Sequence, residues 1–549
     1  MDSGKRTGRL DAAVLIAGGG PVGLALAGEL GRRGISCILV EQGDGTIVHP
    51  RASAHNARTM EFFRRWGIAE AVRKAGVPAD FPHTVLYLTS LTGFEIARIE
   101  RRHHGGGAPT STSPERPQRC NQLWLDPILR DLAASFNSVA LRYRTRLESF
   151  IEEDDHIVAT VHDRDRDERQ TISASYLVDC SGGNSRIRRS LGIEMDGDPT
   201  VDYNVSIFFR IPELWSYHDK GKAALHFIVD KNGIHRNLVQ LDGRVLWRLG
   251  VTDKDAYDNP DAVDVPALMA EVVGKVVPYE LIGVRRWVTH DLVAQHYRQG
   301  RVFLAGDAAH LNSPAGGFGL NTAMGDVIDL GWKLAAVLEG WGHPDLLDSY
   351  ETERRPIAIR NVGQATQNHL RDRRRKTHPE IADDSTSGAR ARRELGEEIV
   401  RTQTQAYITD GTALGYRYDP SLICWDDGSN PVDDTISEYR ATSAPGSRAP
   451  HAWLSQTQST LDLFGTGFVL LRFGDEAPDT TALEREFAGA GIPLATHVIR
   501  DPAVAELYER RLVLVRPDGH VAWRSDEVAS DPRALVDRVR GASMREVAG

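Results

Sequence analysis

Apolar positions along this chain change their spacing repeatedly, and each change predicts a different kind of element. Residues Ala12 to Ala17 and Ser36 to Val40 are continuous apolar runs, the pattern of strands buried on both faces. A glycine cluster between them opens a helix. A second helix is predicted from Asn56 to Gly76, with Met60, Phe62, Phe63, Trp66 and Ile68 on its apolar face. Thr84 to Ile99 reads as strand, and Asn121 to Ser135 again as helix, with Leu123, Ile128, Leu129 and Leu132 at helical spacing. From Val139 to Val178 the pattern alternates in short strands, separated by charged hairpins such as Glu152-Glu153-Asp154-Asp155. Met195 to Trp287 is also strand-rich and concentrates aromatic residues, among them Phe208, Phe209, Trp215, Phe227, Trp247 and Trp287. Arg301 to Gly340 then reads as buried strand, turn, glycine loop and long helix. Gly105 to Pro117 has no apolar period and predicts a mobile connection or lid.

With 549 residues the chain exceeds a single core and predicts several domains. Its 41% apolar and 26% charged content is that of a soluble globular protein. A net charge of −10 argues against a nucleic acid or an anionic membrane as partner. The basic runs Arg371 to Lys376 and Arg390 to Arg393 are flanked by acids and read as solvated helix faces or a linker. Cys37, Cys120, Cys180 and Cys424 lie far apart, with no metal-ligand spacing, so no metal is expected and the thiols read as reduced and buried. There is no secretory apolar segment before the first strand and no run of the ~20 apolar residues that span a bilayer. The expectation is a cytoplasmic enzyme.

The chemistry begins at Gly18-Gly19-Gly20-Pro21-Val22-Gly23, between the first strand and the first helix. Gly18, Gly20 and Gly23 allow a tight turn and close approach of a pyrophosphate to unpaired backbone N–H groups at a helix N-terminus; Pro21 and Val22 complete the turn. Glu41, followed by Gln42, ends the second strand, where an acid can bind a ribose hydroxyl. That context predicts a dinucleotide site.

Four segments together resemble the single-component FAD-dependent aromatic hydroxylases, the group A flavoprotein monooxygenases. They are most similar to the phenol and polyketide hydroxylase branch, which carries a thioredoxin-like C-terminal domain. The segments are Gly18 to Gly23 with Glu41; Pro50-Arg51-Ala52 with Asn56 to Glu61; Tyr176 to Arg188; and Gly306 to His310 with Pro314 to Asn321. The likeness is strong over roughly residues 10 to 365 and looser through PGSRAPH and LVRPDGHVAW near the C-terminus. It implies an α/β (mixed α+β) fold in which a Rossmann-type FAD-binding domain interleaves with a β-sheet substrate domain. The implied division is 10–195 for the first part of the FAD domain, with a substrate-domain insert near 80–111, and 196–287 for the β-rich substrate domain. It continues with 288–372 for the second part of the FAD domain, 373–444 for a linking helical segment and 445–549 for the thioredoxin-like domain. No cysteine occurs from Pro445 onward, so that last domain has no dithiol chemistry and reads as structural or as a dimer contact.

The resemblance implies FAD, with NADPH or NADH as reductant, dioxygen and a small aromatic substrate, the oxygen passing through a flavin C4a-hydroperoxide. A homodimer is also implied. Asp307, after Gly306, would hold the ribityl and phosphate region, although an Asp there also suits a helix cap. Pro314, Gly317, Gly319, Leu320 and Asn321 would line the flavin ring, where backbone N–H groups can stabilise charge on its reduced form. Gln122 would contact FAD, and Arg51 would offer a planar cation to the diphosphate. His310 is expected to pack locally. One position departs from the family: Ser181-Gly182 stands where an Asp–Gly pair is usual, with Asp179 two residues earlier as a partial substitute. The catalytic base is unassigned by any motif; His55 is the candidate after the Pro-Arg loop, against an ordinary packed histidine. His226, Arg236 and Trp247, with Arg248, are candidates for the polar edge of the substrate pocket, against ordinary sheet packing. The main reading is hydroxylation of a phenolic or polycyclic aromatic substrate. A Baeyer–Villiger or epoxidising monooxygenase on a polyketide-like substrate is the alternative within the flavin class, and a flavin-binding protein without turnover lies outside it.

Overall fold

Ala12–Ala17 sits at the centre of an eight-stranded sheet, because its apolar run can be buried on both faces. The computed structural model describes residues 10–100, 110–430 and 432–543. Ala12–Ala17 pairs in parallel with Cys37–Val40 on one side and with Glu168–Asp179 on the other. Val139–Arg142 and Val302–Leu304 extend the parallel set outward. The helices Pro21–Arg32 and Phe318–Leu338 cover one face, packing Leu24, Leu26, Met324 and Val327 into the largest core. The antiparallel strands Thr145–Glu152 and Ile157–Asp163 belong to the same sheet and help bury Leu15 and Leu177 on the other face.

The aromatic-rich middle of the chain forms a second eight-stranded sheet. Its order is His310–Leu311, Glu280–Ala294, Met195–Arg210, Leu246–Thr252, Gly233–Gln240, Leu225–Asp230, Val85–Leu88 and Glu95–Ile99. Val205, Ile207, Phe209, Leu238, Trp247 and Leu249 point to one face, where the helix Val265–Val273 covers them. Phe208 and Val239 point to the other, against Leu123 and Trp124 of the helix Gln122–Ala134.

Leu494–Ile499, Phe468–Phe473, Leu512–Val515 and Val521–Ser525 make a third, four-stranded sheet. It is seated on the first core by Phe468 against Trp332 and Trp341. Beneath that contact lies a buried charge network. Arg516 donates to Glu353 at 2.7 and 2.8 Å, to Asp329 at 3.1 Å and to Asp518 at 2.6 Å. Lys333 donates to Asp329 and Glu353, each at 2.7 Å. Burial raises the Asp329 carboxyl to about 7. For Glu353 burial is outweighed by Arg516 and Lys333, which hold it at about 2.

Several sequence expectations change here. The helix expected from Asn56 to Gly76 is two helices, Ala57–Arg65 and Ala69–Ala75, because Gly67 (φ +76°) turns left-handed and stops the first. The basic runs are solvated only in part: Arg374, Lys376, Arg390 and Arg393 are exposed, but Arg375 is buried and paired with Glu398, and Arg392 is buried and stacked 3.7 Å from the Phe94 ring centre. The linking segment contains a long helix, Thr386–Tyr407, whose Leu395 and Ile399 pack on Ile96 and Ile99. Of the expected lid, residues 105–109 lie outside the described residues. The remainder is pinned, with Ser113 donating to Glu61 at 2.7 Å and Glu115 paired to Arg64 and Arg73.

Removing one partner from a buried ion network leaves uncompensated charge. Arg516→Met is therefore expected to destabilise the protein by about 3 kcal/mol or more, read as a lower denaturant midpoint. Arg169→Met, at an exposed pair with Glu148, should leave that midpoint unchanged.

Candidate functional site

Three strand ends of the first sheet converge, and the chain segments leaving them build the site. Gly18 follows Ala17, Cys180 follows Asp179 and Ala305 follows Leu304; backbone bonds tie them as Cys180 N–H to Ala17 O at 2.8 Å and Ala305 N–H to Asp179 O at 3.0 Å. Gly18 has φ +112°, and a Cβ there would lie 2.4 Å from the Cys180 carbonyl oxygen. A Cβ on Gly23 would lie 2.0 Å from the Gly18 carbonyl oxygen, and one on Gly306 (φ +62°) 2.8 Å from Val22. These glycines let the backbone segments touch. Gly20 faces open space, with nothing within 4 Å of its Cβ position.

Two helices begin at this place without a capping side chain. Pro21–Arg32 starts after Gly20 and Phe318–Leu338 after Gly317, and neither has an acid in its first turn. The helices Ala57–Arg65, Gln122–Ala134 and Arg186–Ser190 are instead capped by Asn56, Asn121 and Ser185. The first-turn N–H groups of the two helices that follow Gly20 and Gly317 suit an anionic or carbonyl-rich group. Glu41 accepts from the Gly19 and Gly43 N–H groups, both at 2.7 Å, which fixes its carboxylate under the glycine turn. Asp307 is exposed at the base of the site, and the protein around it raises its carboxyl pKa through desolvation. Arg51 is exposed and, among the described residues, has no ion-pair partner. Glycine turn, free helix ends, acid and free guanidinium together fit FAD.

The other expected residues divide between surface and scaffold. Gln122 opens its helix with its N–H on Ala52 O at 3.2 Å. Gln42 is exposed, its carbonyl accepting from Arg164. Pro314 is exposed and Gly319 partly so, whereas Leu320 is buried. Asn321 ties the loops around it: its Oδ1 accepts from Asn56 N–H and the Thr59 hydroxyl, and its Nδ2 donates to Ala54 O and Gly317 O. His310 packs locally, its Nε2 2.8 Å from Asp326, which also binds Arg354. Asp179 does not replace the missing acid at Ser181. It is wholly buried, accepts from Ser181 and Ser185, and holds that turn, while Ser181 itself is exposed.

Two corrections concern the chemistry. His55 is 1% exposed, its Nε2–H on Cys120 O at 2.8 Å and its ring edge-on to Phe63, and burial lowers its pKa to about 4. It is turned into the core and packs there. Three substrate candidates lie on the wrong face of the second sheet. Trp247 is opposite Phe209 and His226 opposite Leu238, both in the core under Val265–Val273. Arg236 is opposite Val251 and pairs with Asp230 and Glu271. Arg248, one residue from Trp247, is opposite Phe208 and shares its face. His49, missed by the sequence reading, lies edge-on to Phe208 with centroids 5.9 Å apart. Its position just before Pro50-Arg51 was the available signal.

The family described as FAD binding domain matches residues 11–365, and the aromatic-ring hydroxylase C-terminal family matches residues 442–543. The chain belongs to this FAD-dependent hydroxylase family. It is 36% identical to tetracenomycin B2 monooxygenase-dioxygenase of Streptomyces olivaceus, over 97% of this chain and 98% of that protein. Among solved structures it resembles the rebeccamycin biosynthetic enzyme RebC with reduced flavin, with a TM-score of 0.89 and 41% identity over 97% of this chain and 99% of that one. A ternary complex of aklavinone-11 hydroxylase with FAD and aklavinone gives a TM-score of 0.79 and 29% identity, over 97% and 99%. This chain is thus an FAD-dependent aromatic monooxygenase, and nicotinamide is the reductant typical of its family. Among the described residues no helix is long and apolar enough to cross a membrane.

Buried histidines give the protein an acid limit. Burial lowers His55, His451 and His520 to about 4 and His226 to about 3, whereas the unfolded chain titrates near about 6.5. The unfolded state therefore takes up protons first, so this stability is complete above pH ~6.5 and is lost as pH falls toward about 4. The melting temperature should be level from pH 8 to 7 and fall below 6.5, and His55→Gln should shallow that fall. An unchanged slope in the variant would contradict the buried neutral imidazole.

Proposed function

We propose that this enzyme hydroxylates a fused-ring phenolic substrate, of polyketide-like size, against the Phe208 face of the second sheet. The observation that carries this reading is the alternation across that sheet. It leaves Phe208, Val239 and Leu225 with Trp124 as an apolar surface on the side of Arg51 and His49, away from the helix-covered core.

FAD would lie with its diphosphate at Gly18 to Gly23 and Arg51, its adenosine ribose at Glu41 and its ribityl chain at Asp307. Bound FAD supplies the electron store and the oxygen-activating centre. Arg51 offers its guanidinium fork to phosphate oxygens. The uncapped first-turn N–H groups of the helix Phe318–Leu338 would serve the ring carbonyls and stabilise negative charge there. Phe208, Val239 and Trp124 exclude water and hold the aromatic carbon in place. Burial, with Arg285, Arg248 and Arg51 nearby, lowers the His49 pKa, so its imidazole is neutral at pH 7 and can accept the phenol proton. NADPH or NADH reduces the enzyme. The four buried thiols support a cytoplasmic setting, and a homodimer is the assembly implied by the family resemblance.

Anaerobic stopped-flow reduction by NADPH and NADH tests the reading, with and without phenols, naphthols and hydroxyquinones. One ligand class should accelerate flavin bleaching strongly. Bound FAD that neither nicotinamide reduces, with every ligand present, would contradict it.

A further inference from the structure

The substrate face of the second sheet carries two arginines, Arg248 and Arg285, that no acid among the described residues balances, whereas Arg210 on that face pairs with Glu280. Strand register places Arg248 and Arg285 together. Phe208 is opposite Arg248 on one neighbouring strand and Gly283 on the other, while Ser206, two residues away on the same face, is opposite Arg285. His49 packs on Phe208 from above, and a Cβ at Gly283 would lie 3.7 Å from its Nδ1. Arg51 follows two residues after His49 on the same loop.

None of these groups is neutralised. Among the described residues neither Arg248 nor Arg285 has an ion-pair partner, and Arg248 makes one side-chain hydrogen bond, to the neutral Asn237 Oδ1 at 2.8 Å. The Arg248 Nε and the His49 Nε2 are buried without any hydrogen-bond partner. Burial lowers the Arg248 pKa to about 10, the direction expected of a cation with nothing to pair with. Among the described residues the three fully buried arginines are each paired with an acid: Arg354 with Asp326, Arg448 with Glu61 and Arg516 with Glu353. Leaving a guanidinium desolvated and unpaired is costly unless a ligand supplies the missing charge.

We propose that the substrate is an organic anion, an aromatic bearing a carboxylate or an acidic enol or phenol, whose charged group is seated between Arg248 and Arg285. This rests on the hydroxylase reading above and adds the substrate's charge to it. The planar guanidinium forks suit two-oxygen acceptors. The apolar face of Phe208 and Val239 takes the rings, so charge at one end fixes which carbon is presented. Arg248 and Arg285 are thereby specificity residues, and Arg51 remains with the diphosphate.

The test uses the FAD-loaded enzyme and reads ligand binding as perturbation of the flavin absorbance. The probes are 3-hydroxy-2-naphthoic acid, its methyl ester and 3-methoxy-2-naphthoic acid, which separate carboxylate from phenolate as the source of charge. Arg248→Gln and the exposed Arg285→Gln are measured beside the parent. The parent should bind an anionic probe about tenfold or more tightly than its neutral counterpart, as expected for a charge-assisted pair. Both variants should lose that preference while binding the ester within about twofold of the parent. If Arg248→Gln does not fold, Arg285→Gln alone decides. No preference in the parent, no binding of any probe, or a preference surviving both substitutions would overturn the proposal. So would a selective loss of NADPH affinity in the variants, which would assign the two arginines to the nicotinamide phosphate. Flavin reduction by NADPH is followed in the same samples. Normal reduction without a charge preference defeats this inference alone, whereas absent reduction defeats the hydroxylase reading.

Discussion

Everything at the site depends on close backbone contact where the parallel strands end. Gly18 against Cys180, Gly23 against Gly18 and Gly306 against Val22 leave no room for a Cβ, so chain segments nearly three hundred residues apart meet at one point. The dipoles of the helices Pro21–Arg32 and Phe318–Leu338 are delivered there uncapped. Ligands bind in open α/β sheets at such carboxyl ends because the helices that follow them present free N–H groups. Asn321 then joins Asn56, Thr59, Ala54 and Gly317, fixing the loop before the second helix to the loop that carries Arg51.

This first half of the site was legible in the sequence because its signals are local. The strand Ala12–Ala17, the glycine turn and Glu41 lie within a short stretch, and each chemical role follows from spacing. Other features depend on partners distant in sequence. Spacing makes Asp179 a partial substitute for the acid missing at Ser181, but its bonds to Ser181 and Ser185 commit it to holding the turn. The tie that Asn321 makes through four hydrogen bonds to Asn56, Thr59, Ala54 and Gly317 has no local signal. Within the basic runs Arg375 and Arg392 depart from a solvated face, because Glu398 and Phe94 meet them from other elements.

The substrate face failed for a different reason. Both faces of the second sheet are apolar, so periodicity shows a strand without showing which side is buried by a helix and which by the site. A shift of one residue exchanges the faces. Trp247 and Arg248 are neighbours with opposite fates, and only the register with Phe208 and Phe209 separates them. His49 was missed because it belongs to a loop with no periodicity. The C-terminal unit, which has no cysteine, contributes instead through Arg516, whose charge is buried against Asp329 and Glu353.

The central claim is geometric: one site lies between the glycine-built strand ends and the Phe208 face of the second sheet. A crystal structure of the FAD-reconstituted enzyme tests it most directly. The account predicts the diphosphate at Gly18 to Gly23 beside Arg51, and the isoalloxazine between Pro314 to Gly319 and the face carrying Phe208 and Arg248. A flavin ring bound away from that face, or a diphosphate bound away from the two uncapped helix ends, would contradict it.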